Sequence, residues 1–114
     1  MISPTLIQEV SRIEAELCSA LAEPTRILIL YALGEKPRNV TELTAELGIP
    51  QPTTSRHLRV LRDHQLVSTS RQGTTITYQL ADQRLIQALD LLRSVLRERI
   101  NHRANLMEEI AAKD

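Results

Sequence analysis

The chain has 114 residues, room for one domain and one modest core. Apolar residues make up 42 % but aromatic ones only 2 %, Tyr31 and Tyr78 alone, so the core is aliphatic and there are no stacking platforms for single-stranded nucleic acid. Net charge is zero, which argues against indiscriminate polyanion binding, yet the charge is unevenly spread. Residues 51–80 carry Arg56, Arg59, Arg62 and Arg71 against Asp63, whereas residues 1–23 carry Glu9, Glu14, Glu16 and Glu23 against Arg12. One cysteine, Cys18, excludes an intrachain disulfide and suits a cytoplasmic protein. A cationic start followed by an apolar run is missing, so no signal peptide is expected, and the apolar runs are too short to span a bilayer.

In chain order, Leu6, Val10, Ile13, Leu17 and Leu21 form one stripe of an amphipathic helix over residues 5–21. Pro24 opens a second helix, in which Ile27, Leu28, Leu30, Tyr31 and Leu33 form a broad buried face. Gly34 is expected to end it, with Pro37 preventing its continuation. Thr41 is read as the cap of a short third helix with Glu42 near its positive end; Leu43 and Leu47 face inward and Gly48 terminates it.

Ile49-Pro50-Gln51-Pro52 is a stiff turn, after which a fourth helix runs to about His64. Thr54, Leu58 and Leu61 share its core-facing side; Ser55, Arg56, Arg59 and Arg62 fall on the other, with Thr53 and His57 on the flank. Two β-rich segments follow, Leu66 to Arg71 and Thr74 to Leu80, with Ile76, Tyr78 and Leu80 alternating as the buried set. Gln72-Gly73 supplies the turn between them. Residues 83–112 read as a long helix with a stripe of Leu85, Leu89, Leu92, Leu96 and Ile100, widened by Ile86, Leu91 and Val95. That apolar surface, together with the first helix, exceeds what a small domain covers alone and reads as a dimer interface.

Helix, turn, basic helix and hairpin in this order make a helix-turn-helix with a wing, a device that places a helix in the major groove of DNA. The expected fold is mainly α with a small β-hairpin, in the order α-α-α-α-β-β-α, as one domain over residues 1–114. The candidate DNA contacts are Gln51, Thr53, Thr54, Ser55, Arg56, His57 and Arg59 on the helix, and Arg71, Gln72, Thr74 and Thr75 on the wing. An isolated basic helix face would be read as solvated surface; the ordered partner helix, turn and wing favour DNA instead.

LAEPTRILILYAL at 21–33, TTSRHLRVLRDHQLV at 53–67 and RQGTTITYQL at 71–80 carry a resemblance to the ArsR/SmtB family of small winged-helix repressors. The resemblance implies a homodimer built from first and last helices and a double-stranded operator of imperfect inverted repeats. It also implies release of DNA when an effector binds, in relatives often a metal. At the arsenic-type positions this chain has Asn39, Thr41 and Thr44, none of them a soft ligand. At the zinc-type positions it has Asp82, Arg84, Val95 and Glu98, so both imidazoles are replaced, one by a cation and one by a hydrocarbon. No metal site and no cofactor is therefore expected, and the effector is left open.

Cys18 has two readings: a thiol sensor or metal ligand, with His102 as one candidate companion, or a small apolar residue packed near the core. The second is preferred. His64, at the end of the fourth helix, suits the negative end of the dipole. No glycine-rich phosphate loop exists among Gly34, Gly48 and Gly73, and no catalytic triad assembles, so an enzyme is not expected. The alternatives kept are a regulator sensing an organic ligand or redox signal, with Cys18 as a candidate sensor, and a winged-helix module that docks proteins.

Overall fold

The computed structural model describes residues 1–113. The chain falls into two compact units, Met1–Asp82 and Gln83–Asp114.

In the first unit, α1 spans Pro4–Glu9, with Ser3 capping it by accepting the Leu6 N–H at 3.2 Å. A π turn, Val10–Glu14, follows without a break, closed by the Ala15 N–H donating to the Val10 carbonyl. Such a turn widens the helix locally and re-aims the face that follows. α2, Ala15–Ala20, completes the segment. Leu6, Val10 and Ile13 are exposed, so most of the expected stripe is surface in one chain, and only Ala20 of α2 is buried.

α3 spans Pro24–Glu35 and supplies the centre of the core. Ile29, Leu30 and Leu33 are buried, while Ile27 and Tyr31 are half-buried and Leu28 is 55 % exposed. The expected buried face is thus rotated: Ile29 belongs to it and Leu28 does not. The helix also runs through Gly34 to Glu35, since Lys36 still donates to the Ala32 carbonyl at 3.5 Å.

A short strand that no sequence pattern announces, β1 at Arg38–Asn39, pairs antiparallel with a later strand. α4, Val40–Leu47, is capped by Asn39 and not by Thr41. The Asn39 carboxamide accepts the Glu42 N–H at 2.8 Å, and the Glu42 carboxylate accepts the Asn39 N–H at 3.0 Å. This reciprocal pair satisfies two amides that a helix start leaves open. Gly48, at φ +66°, ends α4 in the left-handed conformation that glycine adopts without Cβ strain.

α5 spans Gln51–Asp63 and closes with two bonds, Gln65 N–H to Arg62 and Leu66 N–H to Leu61, both 2.9 Å. Gln65 takes the left-handed position there at φ 59°. β2 (Val67–Gln72) and β3 (Thr75–Leu80) form a hairpin from Val67↔Leu80 to Gln72↔Thr75. Gly73 and Thr74 make the loop, Gly73 at φ +64°, one residue later than the Gln72-Gly73 turn expected. The sheet order is β1-β3-β2. Ile76 points away from the core near the hairpin tip and is exposed, unlike Leu80, which is buried.

α3 packs against α4, α5 and β3, with Leu43, Leu58, Leu61 and Val67 closing the core. Arg38 is buried and tied on every side: its guanidinium donates to the Ala32 carbonyl at 2.7 Å and pairs with Glu35 and Glu46 at 3.0 Å each. It therefore joins the end of α3 to α4. The second unit is α6, Arg84–Lys113, a 30-residue helix whose Leu91, Leu92, Val95, Leu96 and Ile100 are exposed.

Candidate nucleic-acid interface

α4, the Gly48–Pro50 turn and α5 form the helix-turn-helix. Prolines at 50 and 52 stiffen the entry to α5, where the Thr53 and Thr54 amides both donate to the Pro50 carbonyl. The angle between the two helices is held by a pair of hydroxyls. Thr44 Oγ1 donates to Thr54 Oγ1 at 3.0 Å, and Thr54 Oγ1 reaches the Pro50 carbonyl at 3.4 Å. Thr54 is fully buried. Its expected place among the DNA contacts is therefore corrected: its side chain faces α4, in keeping with the core-facing stripe it shares with Leu58 and Leu61.

His57 is corrected in the same way. It is 7 % exposed, turned inward against α3 and not outward on the flank. Its Nδ1 lies 3.4 Å from Arg26 Nη1, and the same guanidinium bonds the Ala20 carbonyl through Nε and the Ser19 carbonyl through Nη2 at 3.4 Å. A guanidinium can only donate, so Nδ1 is the acceptor and the imidazole is neutral. Its pKa is lowered below 6.5, first by burial and then by the Arg26 charge; Arg56 adds to the effect and Glu23 opposes it.

With Thr54, His57, Leu58 and Leu61 inward, the rest of α5 is presented outward. Gln51, Ser55, Arg56 and Arg59 are exposed and Thr53 is half-buried. On a helix of 3.6 residues per turn, Ser55, Arg59 and Arg62 share one flank at i, i+4 and i+7. Thr53 and Arg56 lie on the other. Among the described residues none of Arg56, Arg59 and Arg62 is in an ion pair, so their charge is open to a polyanion. Arg71, Gln72, Thr74 and Thr75 are all exposed at the hairpin tip. The structure thus brings nine of the eleven candidate residues to the surface of one helix and one hairpin. His64 is exposed with Nδ1 2.9 Å from the Val60 carbonyl, donating to the last turn of its own helix.

The sensor candidates separate. Cys18 is exposed, so the preferred expectation of burial near the core is corrected for the single chain: it sits on α2, of which only Ala20 is buried. His102 is exposed on α6 beside Arg99 and Arg103. At the zinc-type positions of α6, Arg84 and Val95 offer no donor for a metal, so the residues present do not fit a tetrahedral site. Among the described residues no group of three or more His, Cys, Asp or Glu gathers in metal-holding geometry. No single helix there is long and apolar enough to cross a membrane.

Residues 23–69 match the model of the bacterial regulatory protein arsR family, a span that covers α3 to the start of the hairpin. The chain is 41 % identical over 78 residues to the transcriptional repressor SmtB of Mycobacterium tuberculosis, a match that takes in 68 % of this chain and 58 % of SmtB. It is 32 % identical over 102 residues to the regulator Rv0081 of the same organism, covering 89 % of this chain and 90 % of Rv0081. Over several of these curated relatives, SmtB and KmtR among them, the match spans little more than half their length. The crystal structure of Rv0081 superposes with a TM-score of 0.76 at 31 % identity, over 90 % of this chain and 99 % of that one. The homodimeric winged helix-turn-helix DNA-binding domain of Mb0332 from Mycobacterium bovis superposes with a TM-score of 0.75 at 27 % identity, over 89 % and 93 %. The helix-turn-helix, the wing and these likenesses agree, and the chain belongs to the arsR family of bacterial transcriptional regulators.

Proposed function

We propose that this protein is a cytoplasmic, homodimeric repressor, not an enzyme, that binds a double-stranded operator with an inverted repeat and leaves it when an effector binds. The observation that carries this is the division of α5. Its inner residues lock it onto α3 and α4, while Gln51, Thr53, Ser55, Arg56 and Arg59 project from its first two and a half turns. Base edges fall to the short polar side chains and phosphates to the arginines, with Arg71, Gln72, Thr74 and Thr75 of the wing along the backbone or minor groove. The likeness to SmtB, a repressor, and to the homodimeric Mb0332 domain supports repression and pairing. The whole chain acts as one domain in this reading, its exposed α1 and α6 faces covered by the second copy.

Replacing Arg56 and Arg59 with Ala removes two outward charges without touching the core. Binding to a duplex selected from a random pool should fall by roughly a hundredfold while the helical signal and the melting temperature stay unchanged, given charge-assisted bonds of about 1.5–3 kcal/mol each. Unchanged binding would overturn the assignment of this face. Binding that is insensitive to salt would instead favour a protein-docking module.

A further inference from the structure

A cavity of about 410 Å³ opens between α5 and the central strand, lined by Ser55, Arg59, Arg62, Asp63 and Tyr78. Neither Arg62 nor Tyr78 is among the candidate DNA contacts read from the sequence. Both lie within the first unit, as do the other three residues. Resting on the DNA-binding reading above, we propose that this cavity seats one backbone phosphate of the operator in each half-site, with Arg62 and Tyr78 as phosphate-binding residues.

The lining chemistry selects an anion of this kind. Arg59 and Arg62, one helical turn apart, line it together with Ser55 on the helix and Tyr78 on the strand, so two guanidinium-bearing and two hydroxyl-bearing side chains border the same space. Two guanidinium charges against the single Asp63 carboxylate leave the cavity net positive, which disfavours a metal cation. The lining is more polar than apolar, and its charged side chains do not suit an apolar ligand. Asp63 stands at the C-terminal end of α5, beyond Arg62, and discriminates against a fully charged free phosphate more than against a singly charged diester.

Position argues for the DNA backbone as the source. Ser55, Arg59 and Arg62 climb one flank of α5 from its first turns to its last, and the base-reading end is at the first turns. A helix entering the major groove by its N-terminal end carries its later turns out past the sugar-phosphate wall. Tyr78, half-buried on β3 and paired with Arg38 and Thr69 on the neighbouring strands, holds the other wall rigid. A phosphate seated between helix and sheet fixes the depth and tilt of α5, and so its register on the bases.

Fluorescence anisotropy with the selected duplex, read across a salt series for wild type, Arg62→Gln, Arg62→Lys and Tyr78→Phe, tests this. Arg62→Gln should weaken binding roughly tenfold and lower the slope of log K against log salt by about 0.9. Arg62→Lys should restore the slope, and Tyr78→Phe should lose affinity at unchanged slope. A duplex with single methylphosphonate replacements should reveal one position per half-site that matters to wild type and not to Arg62→Gln. Wild-type binding that Arg62→Gln and Tyr78→Phe leave unaltered, while Arg56→Ala abolishes it, overturns the seat and keeps the DNA reading. A wild type that binds no duplex at all overturns both. Competition by inorganic phosphate at low concentration, with no methylphosphonate-sensitive position, overturns the seat in favour of a free anion.

Discussion

Arg26 on α3 and His57 on the recognition helix α5 meet at 3.4 Å, guanidinium to imidazole, with the guanidinium already bound to the last carbonyls of α2. One side chain therefore connects the N-terminal helices to the second helix of the helix-turn-helix. The contact exists only while His57 is neutral, because a protonated imidazole has no lone pair to accept the bond and repels the guanidinium.

Acid should loosen this joint. His57 has a pKa below 6.5 in the fold, so the unfolded chain binds its proton more readily. Stability contributed by neutral His57 is complete above about pH 6.5 and is lost as pH falls through the folded value. NMR titration of the His57 ring should give a midpoint below 6.5. Urea unfolding of wild type should weaken over this range more steeply than that of His57→Gln. Parallel curves for the two proteins would contradict this account.

The Thr44–Thr54 hydroxyl pair sets the angle between the two helices of the motif. Thr54→Val keeps the shape and removes the bonds, leaving the Thr44 hydroxyl short of a partner at the buried end. A loss of about 1–2 kcal/mol in unfolding free energy is expected. DNA affinity should fall with no change in its salt slope, since no phosphate contact is removed. A lowered slope would mean that Thr54 acts on the DNA directly.

Ile13 on the π turn is 65 % exposed and Leu96 on α6 is 51 % exposed, in a chain whose N-terminal segment and last helix leave a long row of such residues in solvent. Glu at either position should turn the proposed dimer into a monomer, seen as a halved mass by sedimentation equilibrium. Loss of operator affinity should accompany it, because the two half-sites are then read independently. A dimer that survives both substitutions would move the interface elsewhere.

Zinc, nickel and arsenite should not release DNA through the two positions used by metal-sensing relatives. Arg84 and Val95 cannot ligate, and Asn39 is committed to the α4 cap. Titration of each metal against the DNA-bound protein, followed by anisotropy, checks this. Stoichiometric release by zinc that disappears when Asp82 and Glu98 are changed to Ala would refute it.

Much of this protein is legible from local patterns. The 3.6-residue stripes, the Pro24 and Pro52 starts, the Gly48 stop and the alternation toward Leu80 are properties of neighbouring residues, and they place the helix-turn-helix and the wing. The Asn39 cap is a local signal as well, since Asn-x-x-Glu before an apolar run marks a helix start. The tertiary structure alone decides which way a flank residue turns. Thr54 already shares a core-facing stripe with Leu58 and Leu61, but His57 sits at the polar edge of α5, where helix period cannot separate an outward donor from an inward one. A hydroxyl from α4 and a guanidinium from α3 draw them in. β1 is two residues long and has no pattern of its own; it exists because β3 offers it an edge. The cavity beside Arg62 and Tyr78 joins residues far apart in sequence, on a helix and a strand, and only their packing makes it a site.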